Sequence, residues 1–200
     1  MARTMIVEEI AGVYRILRLS RLRETPGVAF DVLPPRLVPR VDAIDRVIHE
    51  TGAISPGSVG EVVRPWYMHP DQDDHLLVLD GKRYVDLYSP ILGKVLSFEV
   101  EPNLVTRVAP SPRSVASENV NSQAFSRVVI CDTACMLVWN RGVFHRIRSD
   151  AATGSRSVNL ATHYEGFDID TNFSVYDLNT ETGEYWEIRR GSADQNALPE

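Results

Sequence analysis

The 200 residues are 44% hydrophobic and 24% charged, ordinary values for one globular domain, and long enough to bury a core without a disulfide staple. A net charge of -6 gives no electrostatic reason to bind nucleic acid or an anionic membrane, and no basic helix-turn-helix segment is visible. No apolar run approaches the ~20 residues of a membrane helix, Glu8 and Glu9 spoil the N-terminal stretch as a signal peptide, and Cys131 and Cys135, spaced CDTAC rather than CxxC, read as two reduced thiols of a cytoplasmic protein.

Residues 5–34 alternate loosely around a Thr25-Pro26-Gly27 turn and read as two strands, or as a short helix and a strand. Pro34, Pro35 and Pro39 then forbid regular structure. Val41, Ile44, Val47 and Ile48 fall on one helical face and Gly52 follows as a stop, which predicts a short amphipathic helix over 41–51, packed outside something larger, with His49 solvated. After Gly52 short apolar runs alternate with turn residues: Val59–Val63, Leu76–Leu79, Arg83–Tyr88, Val95–Val100, Leu104–Val108, Val128–Cys131, Met136–Trp139, Val143–Ile147, Ser157–Thr162 and Phe173–Leu178. Such a series without intervening helices predicts an all-β sandwich or closed barrel. Asp80-Gly81 reads as a hairpin turn, and Asn179 to Gly183 as another. Residues 109–126 are Pro/Ser/Asn-rich and predict a long loop. The chain divides on this reading into N-terminal strands and helix over 1–54, a barrel over 55–190 and a flexible tail over 191–200.

The chemistry concentrates in two stretches. YMHPDQDDHLLVLDG, from Tyr67 to Gly81, sets a histidine and a run of amide and carboxylate side chains at the mouth of an apolar strand. WNRGVFHRIRS, from Trp139 to Ser149, sets a glycine turn before a histidine inside another strand. Strand alternation puts Tyr67 and His69 on one face, Gln72 and Asp74 in phase with Val78, and His145 in phase with Val143 and Ile147. If those faces line one interior, His69, Asp74 and His145 converge. Two imidazoles and a carboxylate suit a divalent metal, iron, zinc or manganese; the same three equally make a hydrogen-bonded, metal-free pocket. His75 has the opposite parity and is expected outside, in solvent. His163, beside Tyr164 and Glu165 at a strand end, is a general base or a rim residue that binds substrate. Trp139, with Trp66, Tyr84 and Tyr88, is a pocket wall or core. Arg64, Lys82, Arg83, Arg141, Arg146 and Arg148 flank both stretches, as anion ligands or as solvated strand residues.

These stretches resemble the two motifs of the cupin superfamily of small β-barrels. The first cupin motif has two histidines, an acid four or five positions on and a glycine seven beyond the acid; His69, Asp74 and Gly81 match, and Tyr67 stands at the first histidine. In the second motif Gly142 and His145 match, while Asn140 replaces a proline and Ser149 an asparagine. RYVDLYSP and VWNRGVFHRI look like the RmlC-like branch, the dTDP-4-dehydrorhamnose 3,5-epimerases, although RPWYMH stands where that branch has Arg-Gly-Leu-His. The resemblance implies a jelly-roll β-barrel that pairs as a homodimer. For the branch it implies a metal-free histidine base held by an aspartate, with a tyrosine acid; His69, Asp74 and Tyr67 occupy those roles.

Three functions follow. The first is a small-molecule cupin enzyme with catalytic His69, His145 and Tyr67, substrate contacts from Gln72, Trp139 and His163, and a metal on His69, Asp74 and His145, of dioxygenase, isomerase or lyase type. The second is a metal-free sugar-nucleotide epimerase-like enzyme, and the third a non-catalytic module binding a small ligand. A purely structural barrel fits least, because buried carboxylates such as Asp73 and Asp74 are costly unless paired.

Overall fold

The computed structural model describes residues 5–108 and 126–194. The chain runs β1 (Ile6–Ile10), β2 (Tyr14–Arg18), β3 (Ser20–Thr25), β4 (Val28–Val32), β5 (Ala43–His49), β6 (Ile54–Ser55), β7 (Trp66–Met68), β8 (Gln72–Gly81) and β9 (Arg83–Ser89). It continues through β10 (Lys94–Glu101), β11 (Leu104–Val108), β12 (Arg127–Cys131), β13 (Cys135–Trp139), β14 (Phe144–Ser149), β15 (Ser155–His163), the one-turn helix α1 (Ile169–Asn172), β16 (Val175–Leu178) and β17 (Tyr185–Arg189). Among the described residues no helix is long and apolar enough to cross a membrane.

Two antiparallel sheets face each other. The smaller has the order β1-β2-β13-β8-β15-β5, the larger β12-β11-β10-β9-β14-β7-β16-β17, with β6 also on β14. Among the described residues the sheets do not join into one closed ladder, so the expected barrel is an antiparallel two-sheet sandwich. Period-2 alternation aims Ile16, Leu76, Val78, Leu137 and Trp139 of the small sheet at Val85, Leu87, Phe98, Val100 and Ile147 of the large one. Each such side chain, removed from water, is worth roughly 1.5–3 kcal/mol before the entropy of ordering is charged against it. A second cluster, Trp66, Tyr88, Phe144, Tyr176 and Leu178, covers part of the large sheet's outer face. A third, Leu17, Met136 and Val138, covers the outside of the small sheet.

Several sequence expectations are corrected. The stretch expected as a helix, 41–51, is the edge strand β5, paired to β15 from Ala43↔Ala161 to His49↔Ser155. Ile44, Val47 and Ile48 fit a helical face but are β-branched, and an unpaired edge of β15 rewards that shape more than a helix with little to bury. Ile44 and Ile48 remain exposed there, and His49 is half-buried rather than solvated. Val59–Val63 forms no strand, only a bridge between Val59 and Val62. Asp80-Gly81 is not a hairpin: β8 pairs with β13 and β15, whereas β9 pairs with β10 and β14, so the chain changes sheets at that point. The two cysteines expected as thiols are joined as a disulfide across the β12–β13 turn, with Cα atoms 6.7 Å apart. The start of the expected tail, Gly191–Asp194, is a 3₁₀ turn tied to the body by Arg189–Asp194 at 2.6 Å and by the Ser192 amide on Asp170 at 3.2 Å. Residues 195–200 lie outside the described residues, and so do residues 109–125 of the loop expected over 109–126.

The strands of the first 54 residues enter the same sandwich, since β2 pairs with β13 and β5 with β15. Only β3 and β4 stand apart, as a two-stranded hairpin carrying exposed Leu22, Val28 and Phe30.

Candidate active site

One end of the sandwich interior is polar. β8 delivers Gln72 and Asp74 on its inward face, in phase with Leu76 and Val78. β14 delivers His145 beside the inward Trp139 of β13, ring centroids 5.0 Å apart. β7 and the residue just beyond it deliver Tyr67 and His69. The expected convergence occurs: donor atoms of His69, Asp74 and His145 lie within 4.8 Å of one another, and the three residues are at most 6% exposed. The His69 and His145 ring centroids are 4.7 Å apart.

The backbone sets both imidazole tautomers. His69 Nδ1 makes a short hydrogen bond to the Asn172 carbonyl. A carbonyl only accepts, so Nδ1 carries a proton and Nε2 is turned toward the interior. His69 Nε2 lies 3.3 Å from Asp74 Oδ2. His145 Nδ1 lies 3.4 Å from the Val143 carbonyl, which leaves its Nε2 as the free nitrogen as well. Burial, with the neighbouring His69 adding to it, holds the His145 pKa well below that of an ordinary histidine, so the ring is neutral.

Asp74 is held from one side only. Its Oδ1 accepts from Gln72 Nε2 at 2.8 Å, and the Gln72 carbonyl oxygen accepts from Asn172 Nδ2 at 3.1 Å. Its Oδ2 closes no well-formed hydrogen bond, and the Trp139 indole N–H that faces it is also unpaired. Burial raises the Asp74 pKa above that of an ordinary carboxyl, more than His69 and Gln72 lower it. The unpaired Asp74 Oδ2, the unpaired Trp139 indole N–H and the Nε2 sides of both imidazoles therefore gather at one point of the interior.

The other candidates divide. Gln72 is fully engaged between Asn172 and Asp74, so it positions the carboxylate. Tyr67 stacks its ring near both histidines, centroids 6.1 and 5.9 Å away. The polar groups acting on its hydroxyl, however, are Asp194, Arg189 and Ser55, and burial raises its pKa first. His163 does not join the cluster. Its amide donates to Asp42 at 2.8 Å and its ring stacks on Phe167 at 3.7 Å. His75 faces outward as its parity required, but it is buried there rather than solvated, 3.1 Å from the Leu160 carbonyl. Asp73 also faces outward, where it accepts from the Arg141 amide at 2.8 Å and the Tyr164 hydroxyl at 2.8 Å, tying the two motifs together.

Asn172 and Phe173 are functional neighbours that the sequence reading missed. Phe173 packs its ring edge on His69 at 5.1 Å, and Asn172 both anchors His69 and steadies Gln72. They follow the helix cap that Asp168 makes to the Thr171 amide, a local signal that marks a turn but no chemistry.

A divalent metal fits the donor set: two imidazole nitrogens with N–H groups fixed on backbone carbonyls and a carboxylate oxygen without a partner. Metal–ligand bonds of about 2.0–2.2 Å span at most ~4.4 Å, so the widest pair closes by a few tenths of an ångström on binding.

No family model matches the chain, and no curated protein matches it. Among solved structures it is similar to a sugar 3,4-ketoisomerase from Thermoanaerobacterium thermosaccharolyticum in complex with TDP, at 10% identity and a TM-score of 0.45 over 80% of this chain and 85% of that one. It is similar also to the TDP-quinovose 3,4-ketoisomerase of Campylobacter jejuni, at 13% identity and a TM-score of 0.44 over 78% and 87% of the two chains. A 3,4-ketoisomerase from Helicobacter canadensis is similar at 11% identity and a TM-score of 0.42, over 76% and 85%. Overlap of that extent is partial, so the chemistry of the site is taken from its own side chains.

Proposed function

We propose that this chain is a metal-free isomerase that moves a proton at a carbon beside a carbonyl of a sugar nucleotide, with His69 as the base. The observation that carries the reading is the His69 ring: its Nδ1–H is committed to Asn172, and its Nε2 is turned into the enclosed interior next to Asp74. An imidazole fixed through Nδ1–H, with Nε2 aimed into the interior, has the orientation that proton abstraction requires. Asp74 balances the charge that the ring gains, and its raised pKa lets it return a proton. The Trp139 indole N–H is placed to donate to the oxygen on which negative charge develops, and neutral His145 lines the site beside it. Tyr67 contributes a ring wall. The substrate class is the one implied by the resemblance of RYVDLYSP and VWNRGVFHRI to the epimerase branch.

The test uses purified full-length chain and TDP-linked 4-keto-6-deoxy sugars, followed by solvent deuterium incorporation. His69→Ala loses activity by about 10²-fold or more, the range for a general base, while wild-type activity survives exhaustive chelation. Activity abolished by chelation and restored by metal overturns the metal-free reading.

One observation favours a second reading, a metal on His69, Asp74 and His145: the three donors within 4.8 Å, with Asp74 Oδ2 unpaired. A metal there supplies Lewis-acid polarisation of a substrate oxygen. Elemental analysis decides between the two, since metal retention then falls in His69→Ala and His145→Ala but not in His75→Ala.

The projecting β3–β4 hairpin supports a homodimer. Two strands alone are marginally stable, and Leu22, Val28 and Phe30 on them are exposed.

A further inference from the structure

The outer face of the large sheet carries a groove of about 600 Å³, across the sheet from His145. Alternation along β14 turns His145 inward and Arg146 and Arg148 outward, so the groove shares no side chain with the interior cluster. Arg64, Arg127, Arg146 and Arg148 line it, with Tyr84, Asp86 and Glu99.

The charges do not balance. Asp86 accepts from Arg146 at 2.9 Å and from Ser97 at 2.7 Å, and Glu99 accepts from Arg127 at 2.7 Å. That leaves Arg64 and Arg148 without a carboxylate among the described residues. Arg148 lies over the Tyr84 ring at 4.5 Å. Arg146 lies over Trp66 at 4.2 Å and donates to the Arg64 carbonyl at 3.1 Å, which brings these two arginines side by side. Arg64 Nη1 is buried and has no hydrogen-bond partner. Burial first, then Arg146 and Arg148, lower the Arg64 pKa below its ordinary value, and Asp86 offsets this in part. A sheet face has no packing need for three adjacent guanidinium groups, two of them rigidified on aromatic rings. Their cost is relieved when an anion with several oxygens sits between them, because guanidinium binds such oxygens in forked pairs.

We propose that this groove is a second ligand site, for a phosphate or diphosphate group, bound by Arg64 and Arg148 and oriented by Arg146. The proposal does not depend on the isomerase reading, because the groove and His69 lie on opposite faces of the sheet.

The test is calorimetric titration of the full chain with inorganic phosphate, pyrophosphate and a nucleoside diphosphate, with sodium chloride at matched ionic strength as the control. Saturable binding of at least one of the three is expected. Stronger binding of the nucleotide than of pyrophosphate marks a phosphorylated metabolite as the ligand, and equal binding marks the free anion. Arg64→Gln and Arg148→Gln each weaken binding by about tenfold or more, as loss of a charge-assisted hydrogen bond does. Arg21→Gln on the β3–β4 hairpin leaves it unchanged, and so does His69→Ala, which separates this site from the interior one. Should Arg64→Gln fail to fold, Arg148→Gln, at an exposed position, carries the test. No saturable binding of any of the three, binding undiminished in both arginine variants, or binding lost in His69→Ala overturns the proposal.

Discussion

His49 shows how a single side chain in this fold ties stability to pH. Burial, with Arg83 adding to it, lowers its pKa from the ordinary 6.5 to about 4. The unfolded chain therefore binds a proton at a higher pH than the folded chain does. The stability this ring contributes is whole above about pH 6.5 and is lost as pH falls toward 4. Denaturant midpoints measured between pH 7 and pH 4 are expected to fall on acidification, with a shallower slope in His49→Gln; equal slopes would remove His49 as a cause. Arg83, beside it, is fully buried and donates to Ser155 at 2.9 Å and the Val47 carbonyl at 3.3 Å. Its pKa is lowered to about 10 by burial. At the same scale, Asp74→Asn keeps the shape and the Gln72 contact but removes the charge facing His69. It is expected to lower activity by roughly 10²-fold while a near-ultraviolet spectrum of Trp139 stays native.

At the scale of elements, the joint between the sheets is the informative one. Gly81 has a φ of +72° where the chain passes from β8 to β9, and a Cβ there would run into the backbone carbonyl of Gly154. Gly27, in the β3–β4 turn, has a φ of +76° with open space around it. Gly27→Ala is expected to cost only the left-handed penalty, about 1–2 kcal/mol. Gly81→Ala costs more than that, because two backbones have to part; matching losses in chemical denaturation would count against the joint. Strand identity was readable wherever turn residues punctuated apolar runs, as at Arg83–Tyr88, Val95–Val100, Leu104–Val108 and Met136–Trp139. Period-2 parity also placed Gln72 and Asp74 inward and His75 outward. It failed over Ala43–His49, where spacing that satisfies a helix was outweighed by a vacant edge of β15. It failed again at Asp80-Gly81, since a two-residue turn signal does not say whether the next strand returns to the same sheet. Asn172 and Phe173 were not legible, because their roles come from contacts with His69 and Gln72 about a hundred residues earlier in the chain.

At the scale of the whole molecule, the β3–β4 hairpin pairs, among the described residues, only with itself, outside the two sheets of the sandwich. If that hairpin reaches onto a second copy, light scattering at low micromolar concentration gives a dimer. Deleting residues 20–32 gives a monomer that keeps the folded sandwich, and an obligate interface buries roughly 2,000 Å² or more. A wild-type monomer at that concentration would refute the pairing.

The enclosure of the polar end has a chemical consequence. A reagent that acylates imidazoles, such as diethyl pyrocarbonate, reads each histidine's shelter as a rate. His163, at the partly exposed rim, is attacked directly. His69 reacts only when Asn172 and Phe173 withdraw, so its acylation follows the opening of that segment rather than the reagent concentration once the reagent is abundant. Peptide mapping is expected to show His69 and His145 lagging His163 by at least about tenfold, as local opening of even modest cost imposes. Phe173→Ala, which strips the ring from His69, is expected to erase most of that lag at His69 without hastening His163. The shelter seen as a few per cent of exposed surface is thus a clock, and its period belongs to residues 168–174.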